Sequence, residues 1–288
     1  MPAFLLKRAF LLALVGTALG VLPLASQEPP RQWERRTEAT RPPVTAFHST
    51  QVINLPTAEM LAGGEWQFEI AHRFLPALSE GSDALWGLDG PAYLRLGLGF
   101  APTDRFLVTL ARSNLMDNWD LQAKVRVADG MVGEVPVLLA VQGGVAWSSE
   151  VAGRDSGDRG NFQYYGQVIL NTRIADRLAL GLVPSYLYNV LLDRVDPVQD
   201  LYWGLYGQLY LTEVLSVNAE WNLGENRAEL EHDAGAFGIE LETGGHFFKV
   251  FLTNSVRLNP SQYLVGTDFP FESGEWRLGF AITRLLSF

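Results

Sequence analysis

The sequence predicts an all-β chain: a closed, antiparallel, up-and-down transmembrane β-barrel of about 12 strands, with short periplasmic turns and longer external loops. Three observations carry this expectation. After Gly64, apolar side chains alternate with polar or small ones at a period of two, not 3.6. The connections between these stretches alternate between tight and long, as they do when a sheet threads a membrane. Beyond the first thirty residues, no uninterrupted apolar run reaches the roughly 18 residues that a spanning helix needs.

The elements follow in order. Lys7 and Arg8 precede "AFLLALVGTALGVLPLAS", a basic segment followed by an apolar core and then small residues at Ala25 and Ser26. Residues 1–26 therefore read as a secretory signal peptide, with a retained single-helix anchor as the alternative. Residues 27–48 contain "QEPPRQWERRTEATRPP", polar and proline-rich, and read as a disordered leader. Residues 49–63 include the moderately apolar "STQVINLPTAEML" and read as a plug or lead-in segment. Residues 64–288 form the barrel.

Strands are expected near 65–74, 91–101, 105–113, 118–128, 135–148, 162–173, 177–188, 201–211, 215–224, 236–243, 246–254 and 274–288. In "NWDLQAKVRVAD", Trp119, Leu121, Ala123, Val125 and Val127 share one face, and Asp120, Gln122, Lys124 and Arg126 share the other. In "VLSVNAEWNLG", Leu215, Val217, Ala219, Trp221 and Leu223 oppose Ser216, Asn218, Glu220 and Asn222. The tight links "APTDR", "IADR", "TEV" and "TGG" contrast with loops such as "LPALSEGSDALWGLDG" and "SVRLNPSQYLVGTDFPFES". The link at 114–117 is short for its side, and that at 129–134 is long for its side.

One apolar face per strand can be buried inward, as in a sandwich or lipocalin-like barrel, or turned outward into lipid around a polar lumen. Trp66, Trp119, Trp203, Trp221, Trp276 and Phe288 fall near strand ends on the apolar parity, where aromatic girdles sit in membranes. That favours the lipid-facing solution. Glu69, Arg73, Arg95, Asp120, Lys124, Arg126, Glu220, Glu240 and Arg277 are then the lumen-lining candidates. The last strand, "GEWRLGFAITRLLSF", ends on an aromatic residue, as bacterial outer-membrane proteins do, although Arg284 interrupts its apolar parity.

"STQVINLPTAEMLAGGEWQFEIAHRF", "LWGLDGPAYLRLGLGFAPTDRFLVTLARSN", "NWDLQAKVRV", "FGIELETGGHFFKVFLTNS" and "GEWRLGFAITRLL" together resemble a bacterial family of β-barrel proteins that is a domain of unknown function. The resemblance runs from about Thr50 to the end. It is most specific at His72-Arg73-Phe74, Thr103-Asp104-Arg105 and Glu242-Thr243-Gly244-Gly245-His246. It implies an outer-membrane-type barrel and brings no activity, substrate or catalytic residue.

Candidate chemistry is sparse. With no cysteine, disulfides and thiolate metal sites are excluded. The four histidines, at 48, 72, 232 and 246, lack metal-ligand spacing, so no metal or cofactor is expected. The net charge of −10 argues against nucleic acid. Gly244 and Gly245 read as a hairpin turn, with His246 either a rim ligand or a turn histidine bonded to nearby backbone. His72 and Arg73 suit an anionic lipid or an acidic substrate, or structural pairing with Glu69 or a loop carboxylate. His48 and Ser49 are adjacent and point opposite ways in a strand, so they do not form a base and nucleophile. No catalytic residue is expected. The acidic loops "GRDSGDRG" and "GTDF" lack the ligand spacing of a calcium loop.

The expected function is a non-enzymatic barrel of the bacterial outer membrane, a narrow pore or binding barrel for a small solute. A structural or docking barrel with a plugged lumen is one alternative, and an outer-membrane hydrolase another. Expected partners are outer-membrane lipid, the barrel assembly machinery during biogenesis, and the solute.

Overall fold

A computed structural model describes residues 46–224 and 230–287. The signal segment, leader residues 27–45, part of the loop "GENRAELEHDAG" and the terminal Phe288 lie outside the described residues. Twelve strands form one closed antiparallel barrel in which each pairs with its sequence neighbour. They are β1 Trp66–Phe74, β2 Ala92–Thr103, β3 Phe106–Ser113, β4 Asn118–Val132, β5 Val135–Ser148 and β6 Phe162–Ile174. Then come β7 Leu178–Tyr188, β8 Gln199–Tyr210, β9 Leu215–Gly224, β10 Ala234–Glu242, β11 His246–Thr253 and β12 Arg277–Leu286. The ring closes where β12 returns to β1, in register from Trp66↔Leu286 to Arg73↔Gly279. Closure leaves no sheet edge in the membrane with unpaired backbone groups.

The alternation resolves as the lipid-facing solution. Leu121 is 49% exposed, Val125 38% and Val217 39%, whereas Asp120, Lys124, Glu220 and Glu240 are each 3% exposed or less. The greasy parity is therefore the outer wall of the barrel and the ionisable parity its interior. Small lumenal residues let aromatic rings lie flat on the inner wall. An added Cβ at Gly144, Gly181 or Gly279 would overlap the rings of Tyr165, Tyr206 and Phe251, respectively.

One end of the barrel carries the turns 104–105, 133–134, 175–177, 211–214 and 243–245. The other carries the loops 75–91, 149–161, 189–198 and 254–276, residues 230–233, and the short link 114–117. The expected long link at 129–134 is corrected to a two-residue turn, because β4 and β5 extend toward each other as far as Val132↔Val135. Gly133, with φ of +64°, makes that turn. Past Arg126, β4 pairs with β5 alone, since β3 ends at Phe106↔Val125. Met131 and Val132, at 62% and 71% exposed, lie on this overhanging ribbon.

The last strand starts at Arg277, not 274. Trp276 belongs to the preceding loop, where its ring meets Phe237 at 5.1 Å and Phe271 at 6.0 Å. Trp119, Trp147, Tyr164, Tyr186, Trp203 and Trp221 lie toward the loop end, and Trp66 packs tilted against Phe100 at the turn end. The aromatic belt is therefore far heavier on the loop side. A four-residue helix, α1 Pro260–Tyr263, lies within the long loop before β12.

Candidate functional site

The lumen is the candidate site, and its geometry is set by residues 46–61. Within this segment, residues 50–57 form a small loop closed by Thr57 N donating to Thr50 O and Val52 N donating to Leu55 O, both at 3.0 Å. At its tip, three successive backbone N–H groups converge on one wall carboxylate. Glu220 on β9 accepts from Ile53 N (3.2 Å), Asn54 N (2.9 Å) and Leu55 N (3.1 Å), and from Asn54 Nδ2 (2.6 Å). Consecutive amides of this kind form an anion-binding nest. Here the anion is a side chain of the barrel.

The cations hold the same segment by its carbonyls. Lys124 on β4 donates to Thr57 O (2.8 Å) and Thr50 O (3.1 Å). Arg126 donates to Ala58 O and pairs with Glu59 at 3.0 Å, while Glu59 in turn accepts from Ala46 N and Phe47 N. Lys249 on β11 donates to Gln51 O (2.6 Å) and Ser49 Oγ (2.9 Å) and pairs with Glu240 at 3.3 Å. Ser49 Oγ also bonds Glu240, whose other oxygen lies 3.3 Å from His48 Nδ1. With the protons of Lys249 directed at acceptors on every side, Ser49, Lys249 and Glu240 have the geometry of a clamp. Asn171 accepts from Ala58 N, and Tyr206 and Tyr210 donate to Pro56 O and Ala46 O.

An apolar side completes the fit. Val52, Ile53, Leu55 and Ala58 share a buried cluster with Ile169, Val183 and Leu187 of the wall. Gly204 gives Leu55 its room, since an added Cβ would stand 2.9 Å from a Leu55 methyl. Toward the turn end, Met60 and Leu61 pack with Ala101 and Leu107. From the loop end, α1 and its flanks enter the same interior. Asn259 accepts from Arg95 Nε (2.8 Å) and donates to Asn118 Oδ1 (2.6 Å), and Asn222 donates to Leu264 O (2.7 Å). Two small chambers lie beside Glu69, Arg95, Gln122 and Gln142, each of about 20 Å³ and with room for about one water molecule.

The expected site residues therefore divide into groups. Lys124, Arg126, Glu220 and Glu240 gather around residues 46–61. Glu69 pairs with Arg95 and accepts from Gln51 Nε2. Arg73 does not pair with Glu69. It donates to Asn54 Oδ1 at 2.7 Å and lies over the Phe251 ring at 4.3 Å, because Arg95 already occupies Glu69. Asp120 accepts from Tyr165 Oη at 2.9 Å. Arg277 stands apart at the loop end, 3.5 Å over the Phe269 ring and donating to Leu75 O.

Glu242-Thr243-Gly244-Gly245-His246 forms the turn between β10 and β11. Thr243 N donates to His246 O (2.9 Å), Gly245 N donates to Glu242 Oε1 (3.1 Å), and both glycines have positive φ. The His246 ring stacks on Phe248 at 6.0 Å. Lys249, Tyr206, Tyr210, Asn171 and Asn259 were not among the expected site residues. The inward parity of the first four was their signal, whereas Asn259 lies in a loop with none.

Outside the membrane-spanning strands, the link 114–117 is tied to the loop that follows β5. Asp117 accepts from Ser149 Oγ and pairs with Arg112 at 2.5 Å. The Ser149 hydrogen bond, with Arg112 adding to it, holds the Asp117 carboxyl below its ordinary range.

A closed sheet with an apolar outer wall and a polar, internally bonded lumen defines a membrane β-barrel. The chain belongs to the family described as Membrane bound beta barrel domain (DUF5777), whose model matches residues 47–286. Among solved structures it is similar to the NanC porin, at 9% identity and a TM-score of 0.46, covering 77% of this chain and 99% of that one. It is also similar to LpxR from Salmonella typhimurium, at 11% identity and a TM-score of 0.35, covering 76% and 99%. A third is the translocator domain of the autotransporter NalP from Neisseria meningitidis, at 10% identity and a TM-score of 0.36, covering 78% and 88%. No curated protein matches the chain.

Proposed function

We propose that this protein is a non-enzymatic barrel of the bacterial outer membrane whose resting lumen is closed by its own residues 46–61, so that a small solute passes or binds only when that segment moves. The observation that carries this reading is the grip of Glu220 on three consecutive amides at 53–55. Charged lumenal side chains that would line an open pore are here spent on a peptide. Hydrogen bonds to charged groups are worth about 1.5–3 kcal/mol each, and several act together on one short segment. The apolar side of the segment excludes water where the polar side does not reach.

Planar-bilayer recording tests this. The full-length barrel should be silent, and a variant lacking residues 46–61 and the inward loop residues 258–265 should conduct in discrete steps that shrink when Lys124 and Arg126 are neutralised. Step conductance of equal size in both proteins would sink the proposal. So would silence in both, given that each keeps the heat-sensitive gel shift of a folded barrel.

A further inference from the structure

We propose that the lipid-facing wall carries a specific site for one acyl chain of a bilayer lipid from the loop-end leaflet, in a groove crossing β7 to β10 beneath Phe271. This proposal does not depend on the state of the lumen. The groove has a volume of about 500 Å³ and is lined by Leu180, Leu205, Ala219, Trp221, Phe237 and Phe271, among others. Ala219 forms part of its floor, and its cross-strand neighbour on the outer face is another small residue, Gly207. Leu180 flanks Gly207 in register on β7, and Phe237 flanks Ala219 on β10. On the same strands the flanking outward positions Leu205 and Leu209 carry large apolar side chains, each over 40% exposed. Here a depression replaces the ridge.

The roof is a second, independent feature. The loop 254–276 turns back against the outer wall and sets Phe271 edge-on to Trp221 at 4.7 Å and to Phe237 at 6.1 Å. Gly235 makes this approach feasible, because an added Cβ would stand 2.5 Å from the Trp221 ring and 3.0 Å from the Phe271 ring. Trp276 joins the cluster, and its indole Nε1 is buried without a hydrogen-bond partner. An aromatic cluster roofing an apolar slot that faces lipid suits an acyl chain lying beneath it. The occupant follows from the setting: the slot opens on the wall of a membrane-bound barrel, where the neighbouring molecules are lipids.

The test uses the full chain in vesicles of phosphatidylethanolamine and phosphatidylglycerol containing a phosphatidylethanolamine with a diazirine on its acyl chain. Cross-links mapped by mass spectrometry should concentrate on Leu180, Trp221, Phe237 and Phe271, and should fall about tenfold in Ala219→Leu, which fills the floor. Should that variant fail to fold, Phe271→Ala, in a loop outside the sheet, should give the same loss. Cross-links spread evenly around the wall, or unchanged in the variants, would overturn the proposal. So would a dimer in which a second copy covers these residues, detected by a protein cross-linker.

Discussion

Replacing Glu220 by glutamine tests how firmly residues 46–61 are held. The carboxylate offers two acceptor oxygens to four donors, and Oε2 alone receives Ile53 N, Asn54 N and Leu55 N. Glutamine with its oxygen in the Oε2 position keeps the three backbone donors but turns an NH2 group toward Asn54 Nδ2, which also donates. Each kept bond falls from the charged to the neutral class, about 1 kcal/mol apiece, and the lost Asn54 acceptor adds about 1–3 kcal/mol. Burying a neutral amide costs less than burying a carboxylate, which returns part of this. A net loss of about 3 kcal/mol corresponds to roughly a hundredfold rise in the population with the segment displaced. The chain has no cysteine, so a single Ala58→Cys reports on this segment alone. Ala58 is fully buried, and its thiol replacement reacts with a maleimide only when the segment leaves. Labelling of folded barrels should therefore run about 100-fold faster with Glu220→Gln than with Glu220 intact. Rates within about threefold of each other, with both proteins keeping the gel shift, would refute the reasoning, because that would mean the nest contributes under about 1 kcal/mol.

Two further outcomes follow from the same structure. Gly181→Ala should push the Tyr206 ring off the wall and strain its bonds to Pro56 O and Asn171 Nδ2, costing about 1–3 kcal/mol as overpacking does. The gel-shift transition should move to lower temperature, and an unchanged midpoint would show that the ring has slack. Asp117 has a depressed folded-state pKa, so its stabilisation of the 149–161 loop is complete above the ordinary carboxylate value of 3.8 and is lost as pH falls through the lower folded value. Pepsin cleavage of that loop should rise over this acid window, and Ser149→Ala should move the rise to higher pH. An identical profile in the variant would exclude the Ser149 contact as its cause.

The wall of this barrel is legible in its sequence because a strand writes its environment at every second position. Leu121 and Lys124 announce opposite faces before any partner is known, and the Gly244-Gly245 turn announces itself by the φ angles only glycine adopts freely. The partners inside the ring are not legible. Glu220 and Ile53 are far apart in sequence, and nothing in either neighbourhood encodes their meeting. Parity places Arg73 and Glu69 on one face and suggests a pair, but the choice between Arg95, Asn54 and Glu69 depends on how the strands stagger and on what fills the space between them. The end of β4 is hidden in the sequence for another reason. From Ala128 to Val132 both faces are exposed, so the alternation that marks the other strands fades there.

The enclosed segment precedes every strand of the wall, while the seam that completes the ring joins β1 to β12, the earliest strand to the latest. The contacts of residues 46–61 are spread over β1, β4, β6, β8, β9, β10 and β11, so most are available before that seam is made. A ring sealed by its final stave closes around whatever it already surrounds, whereas threading the segment in afterwards would drag Glu59 past a finished rim. Winding the sheet around the peptide avoids that passage, with the segment as the mandrel.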